Sequence, residues 1–99
     1  MAKNIHAYQA IVTKYIGPTD TKGSRIKAIA SAGSVTIEID HALNIAENHA
    51  AAAESLANKY KWRGIWHMGG LPNDSGYCFV ASYFGRAIDN EPAFTTQGE

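Results

Sequence analysis

From Ile5 to Ile16 the chain reads IHAYQAIVTKYI, a run rich in residues that favour strands. Alternation puts His6, Tyr8, Ala10, Val12 and Lys14 on one face. Ile5, Ala7, Gln9, Ile11, Thr13 and Tyr15 fall on the other. Neither set is cleanly polar, which predicts a strand covered on much of both faces. Gly17-Pro18 ends it, because proline has no N–H for a ladder and glycine takes backbone angles that other residues avoid. Ser24 to Ser31, SRIKAIAS, is extended again, with Ile26, Ala28 and Ala30 on one face and Arg25, Lys27 and Ile29 on the other. A short turn at Ala32-Gly33 leads into SVTIEID, where Val35, Ile37 and Ile39 point inward and Thr36, Glu38 and Asp40 outward. In an antiparallel pair Glu38 would oppose Lys27 or Arg25.

The period then changes from two to that of a helix. Asn44 is a good N-cap, and Glu47 three residues on completes a variant of the capping box. The alanine-rich segment that follows favours helix. Its stripe of Ala46, His49, Ala50, Ala53, Leu56, Ala57 and Tyr60 is mostly small, so the helix should lie close against a sheet. Lys59, Lys61 and Arg63 gather where cations complement the helix dipole, and Gly64 is the expected C′ residue. Two more strands follow, GIWHM and YCFVASYF, separated by the turn-rich GGLPNDSG.

The order β-β-β-α-β-β predicts an α+β two-layer domain: an antiparallel sheet of about five strands with one helix packed on one face. The first three strands form a meander and the last two a hairpin. Residues 1–84 make a single domain. Residues 85–99 lose periodicity and read as a C-terminal tail, mobile or docked by Ile88 and Phe94.

Composition narrows the function classes. Ninety-nine residues with 45% hydrophobic content suffice for one core. No apolar run approaches the roughly 20 residues that span a bilayer, and MAKNIHAYQA lacks the form of a secretory signal. With Cys78 the only cysteine, no internal disulfide framework exists, and a cytoplasmic location is expected. Formal net charge is zero, against a general polyanion binder and against an acidic mimic of nucleic acid. The charge is nonetheless uneven. TKYIGPTDTKGSRIKA, Thr13 to Ala28, holds four of the nine basic side chains (Lys14, Lys22, Arg25 and Lys27) against one acid, Asp20.

That segment is the leading candidate site. Thr19, Thr21, Lys22, Gly23 and Ser24 bring hydroxyls, an ammonium and a small residue together, and Arg25 could grip a phosphate or carboxylate at two points. The order of a Walker loop is absent, and a strand rather than a helix follows. The competing explanation is a solvated hairpin loop whose lysines maintain solubility. Together with NHAAAAESLANKYKW and GYCFV, the segment resembles a group of short uncharacterised proteins from bacteria, phages and plasmids that share T-K-Y-x-G-P-T leading into G-S-R-I-K-A. The resemblance covers roughly residues 10 to 80 and rests on Thr13, Lys14, Tyr15, Gly17, Pro18, Thr19, Gly23, Ser24, Arg25, Ile26, Lys27 and Ala28. It implies a regulatory or counter-defence binder of mobile-element context.

Other chemistry is less well supported. His6, His41, His49 and His67 form no H-x-x-x-H or H-E-x-x-H pattern, and no second cysteine supports zinc, so no metal or cofactor is expected. His49 on the apolar stripe reads as a satisfied core or edge histidine. Cys78 in GYCFVAS reads as a buried inert thiol. Glu38 and Asp40 share an exposed face, where neither would be tuned for catalysis. Trp62, Trp66, Tyr77, Phe79, Tyr83 and Phe84 could stack on bases, but such a cluster more often builds a core or a subunit interface, here a homodimer through sheet aromatics.

The expected function is that of a non-enzymatic binding protein that occludes a macromolecular partner, such as a protein complex or a nucleic acid. An anti-CRISPR protein or another counter-defence inhibitor is one concrete version. The contact surface would comprise Lys14, Tyr15, Thr19, Lys22, Ser24, Arg25 and Lys27. The alternatives are a nucleotide or phosphate-ligand binder at a subunit interface and a nucleic-acid-binding regulator.

Overall fold

The structure, a computed structural model, describes residues 10–82 and 92–98. Six strands and one helix follow in the order β1 (Ala10–Ile16), β2 (Arg25–Ala30), β3 (Gly33–Glu38), α1 (Ile45–Lys59), β4 (Arg63–Gly70), β5 (Tyr77–Ser82) and β6 (Phe94–Gln97). A short 3-10 turn, Pro72–Asp74, lies between β4 and β5. All pairings are antiparallel in one sheet of order β3-β2-β1-β5-β4-β6. The α+β class and the meander-helix-hairpin order are as the sequence pattern predicts. The sheet has a sixth strand where a tail is expected: Phe94–Gln97 pairs with β4 along the edge. Ile88, the other expected anchor, lies outside the described residues, as do residues 5–9 of the predicted first strand.

Helix α1 begins at a complete capping box. The Asn44 side chain accepts from the Glu47 amide at 2.8 Å, and the Glu47 carboxylate accepts from the Asn44 amide at 2.9 Å. Such a cap is worth about 1 kcal/mol. At the far end the Lys61 amide bonds Asn58 O and the Trp62 amide bonds Ala57 O, a Schellman closure. Its left-handed residue is Lys61, at φ 57°, in place of the expected Gly64. Gly64 is instead buried inside β4, opposite Thr96. The buried helix face comprises Asn48, His49, Ala52, Ala53, Leu56 and Ala57. Asn48 and Ala52 therefore join the predicted stripe, of which Ala50 packs half-buried against the core. The Asn48 amide is satisfied by the turn before the helix: it accepts from the Asp40 N–H at 2.8 Å and donates to Asp40 O at 3.1 Å and Asn44 O at 3.0 Å.

The alanine face meets one side of the sheet. Register places Ile11, Thr13 and Tyr15 of β1 on that side. Ile26 and Ala28 of β2, Tyr77, Phe79 and Ala81 of β5, and Trp66 of β4 share it. Ile11, Ile26, Ala28, Trp66 and Phe79 are fully buried there. Val12 and Lys14 on the other side are exposed, so β1 is covered on one face rather than on much of both. At the lower end the Tyr60 hydroxyl donates to Ala32 O at 3.0 Å and occupies the space a Cβ at Gly33 would need. The two-residue turn is Ser31-Ala32, with Gly33 already paired to Ala30.

The aromatics expected at a subunit interface largely build this core. Trp66 stacks on Phe94 at 5.8 Å, and Phe79 lies 5.9 Å from Phe94. Trp62 is half-buried between Tyr60 and Trp66. Tyr83 and Phe84 lie outside the described residues. Thr96 locks β6 in place: its hydroxyl accepts from Trp66 Nε1 at 2.9 Å and donates to Trp62 O. Thr96→Val would strand both buried partners. We expect a loss of about 2–4 kcal/mol in unfolding free energy, measured by denaturant titration, with Thr96→Ser losing about 1 kcal/mol or less. Equal stability of the valine variant would show that β6 does not dock as described.

Candidate functional site

The predicted site residues divide between two faces of the sheet. Lys14 and Lys27 are direct cross-strand partners on the face away from α1, and Arg25 follows on the same side of β2, opposite Ile16 and Glu38. Between these cations and the middle of the sheet lie Val12, 36% exposed, and half-buried Ile29, again direct partners. The result is a sheet surface with a cationic corner and an aliphatic floor. The Arg25–Glu38 register pair supplies one acid from the chain itself. Lys14 and Lys27 face each other, and like charges directly opposite on a sheet destabilise the pair.

Tyr15 does not belong to that surface. It points to the helix side, and its hydroxyl lies 2.8 Å from Ser24 Oγ, so Ser24 is engaged in holding Tyr15. Thr19 and Lys22 form a closed turn at the tip: the Thr19 amide donates to Lys22 O at 2.8 Å, and the Lys22 amide donates to Thr19 Oγ1 at 3.1 Å. These internal bonds engage the Thr19 and Lys22 amides and the Thr19 hydroxyl within the loop itself. Among the described residues, the glycines with positive φ are Gly33, Gly76 and Gly98, so Gly17 does not use the backbone freedom expected of it.

A second feature lies where the helix side of the sheet runs past the first turn of α1. A pocket of about 400 Å³ opens there, bounded by Tyr15, Ile45, His49, Leu71, Asp74 and Tyr77. The β4–β5 connection forms one wall. Asn73 and Asp74 adopt left-handed angles, φ 62° and 53°, which their short polar side chains tolerate. The Leu71 amide bonds Gly76 O at 2.9 Å, closing the turn. Gly76, at φ 144°, lies so close to β1 that a Cβ would land on the Thr13 carbonyl oxygen.

His49 forms the floor. Its Nδ1 lies 2.7 Å from Thr13 Oγ1, itself fully buried, and its ring packs edge-on to Tyr77 at 4.7 Å. Thr13 Oγ1 also lies 3.5 Å from Tyr77 O, at the outer limit of a hydrogen bond. Burial lowers the His49 pKa from its ordinary value, keeping the imidazole neutral. This is the satisfied core histidine that its place on the helix predicts. Its partner, Thr13, could not be chosen from sequence, because the bond joins residues 36 positions apart.

The remaining candidates are dispersed. His41 is exposed. His67 lies on the open face, with Nε2 buried and unpartnered, and His6 is outside the described residues. Cys78 is also on the open face and half-buried, opposite Val12, rather than in the core. Among the described residues, no group of three His, Cys, Asp or Glu side chains is placed to hold a metal, and no helix is long and apolar enough to cross a membrane.

The buried imidazole makes stability depend on pH. His49 binds a proton less readily folded than unfolded, so its contribution is complete above the ordinary histidine value of about 6.5 and is lost as pH falls below it. The expected outcome is a fall in denaturation midpoint between pH 7.5 and 5.5 that is smaller in His49→Gln. Imidazole titration by NMR, with His49 protonating below the ordinary histidine value, provides the same check without a variant. Protonation of His49 at or above that value would contradict the assignment.

No family model, curated protein or solved structure matches this chain, and the geometry above carries the functional argument.

Proposed function

We propose that the protein is a non-enzymatic binding protein whose open sheet face docks on an acidic surface of a partner protein. The observation that carries this reading is the direct Lys14–Lys27 pairing beside Arg25. Isolated, the arrangement costs stability. Against carboxylates it becomes a set of charge-assisted hydrogen bonds, with Arg25 able to engage one carboxylate bidentately. Val12 and Ile29 supply apolar area beside the cations, as the centre of a protein interface requires. Lys22 at the tip extends the positive edge, while Tyr15, Thr19 and Ser24 serve the internal structure of the loop.

The side chains on this face favour a protein partner over the alternatives. Single-stranded nucleic acid needs aromatic platforms, whereas the side chains beside the cations on β1 and β2 are aliphatic. A nucleotide site needs its cations around a concavity, and the one charged side chain lining the pocket is the acid Asp74. The counter-defence version, an anti-CRISPR-type inhibitor of phage or mobile-element context, rests on the T-K-Y-x-G-P-T resemblance. The open face is the surface such an inhibitor would use.

Reversing one charge separates binding from folding. Lys14→Glu would convert the like-charged pair into an opposite-charged one, and we expect a gain of about 0.5 kcal/mol in unfolding free energy. The same variant, and Lys27→Glu, should lose at least tenfold in affinity for the protein that wild type retains from host extract, measured with that protein purified. Undiminished affinity in both variants would remove the proposed surface. Retention of nucleic acid instead, weakening steeply with salt, would replace the protein partner with a polyanion.

A further inference from the structure

On the opposite side of the sheet, we propose that the pocket between the first turn of α1 and the β4–β5 turn binds a small planar aromatic molecule carrying a protonated amine. The volume of about 400 Å³ lies in the range of small-molecule sites, which are mostly apolar with a few placed polar groups. Tyr15 and Tyr77 offer aromatic surface, and Ile45 and Leu71 offer aliphatic surface. Ile45 and Tyr15 are each 51% exposed, a high value for large apolar side chains so close together, and a flat ring between them would cover both. The charge requirement follows from Asp74, the one charged side chain among the lining residues. The second polar requirement follows from His49. Its Nδ1 is engaged by Thr13, and Nε2, with no partner among the described residues, is the ring nitrogen that meets a ligand. An acid and no cation among the lining side chains select a positively charged ligand and reject a carboxylate of the same shape.

The walls are pre-formed. The Leu71–Gly76 bond closes one wall, and the close approach of Gly76 to Thr13 fixes that wall against β1. The Tyr15–Ser24 contact holds the opposite side. This site shares no charged side chain with the basic face, so loss of one leaves the other intact.

The test is an NMR titration of the isotope-labelled full chain with tryptamine, with indole-3-acetate as the probe of the same ring and opposite charge. Tryptamine should shift the amides of Ile45, Leu71, Ser75, Gly76 and Tyr77 saturably, and indole-3-acetate should not. Asp74→Asn keeps the short polar side chain that the left-handed turn needs, and it should weaken tryptamine binding roughly tenfold. Lys14→Glu should leave tryptamine binding unchanged. The proposal is overturned if tryptamine produces no saturable shifts at these residues, if indole-3-acetate binds as tightly, or if Asp74→Asn binds tryptamine as well as wild type.

Discussion

The close seating of an alanine-faced helix on one side of the sheet is the constraint from which the rest of this structure follows. Ala52, Ala53 and Ala57 let α1 approach the sheet where Ile11, Ile26 and Ala28 are fully buried. A helix is roughly 10–12 Å across, while six strands span roughly 24 Å at their usual spacing. One helix therefore cannot roof the sheet. The bulky aromatics close the gap on the β4–β6 side, where Trp66, Phe79 and Phe94 take the place of a second helix.

Both candidate sites are products of that incomplete cover. Where the inner side of the sheet extends past the first turn of α1, no helix among the described residues covers Tyr15 and Tyr77, and the β4–β5 turn encloses the space as a pocket. Among the described residues no helix covers the far side, and its β1–β2 region carries cations and short aliphatic side chains. A core would have no use for the Lys14–Lys27 pair, and solubility alone would be served as well by a lysine opposite an acid.

Much of the fold was legible because its signals are local. Alternation in SVTIEID and the Asn44–Glu47 capping pair each need only a few neighbouring residues, and both elements form where the pattern puts them. The strand at Phe94–Gln97 was not legible, because four residues carry little periodicity and their anchor is a bond from Thr96 to Trp66, 30 positions away. The same distinction applies to the site. Arg25 and Lys27 share a face by simple alternation, and the shared face of Lys14 follows once β1 and β2 pair. Tyr15 is excluded by the same alternation, one residue from Lys14, yet sequence proximity grouped them. The pocket assembles residues from β1, α1 and the β4–β5 turn, and its one sequence signal was a histidine on an alanine-rich helical face.

Strand β1 is the element on which both surfaces depend. Thr13 and Tyr15 feed the helix side, while Val12 and Lys14 feed the open side. A slip of one residue would send each set to the wrong face. Alternation alone resists such a slip poorly here, since neither set is cleanly polar. The register is held by specific contacts instead: the Thr13–His49 bond to the helix, and the Thr13 carbonyl against Gly76 of the turn. A valine at position 13 would keep the β propensity and lose the hydroxyl, leaving the buried His49 Nδ1 without its partner. The polar residue in the middle of the core is thus a registration device, and the lysine beside it reaches the open face because Thr13 is held to the other.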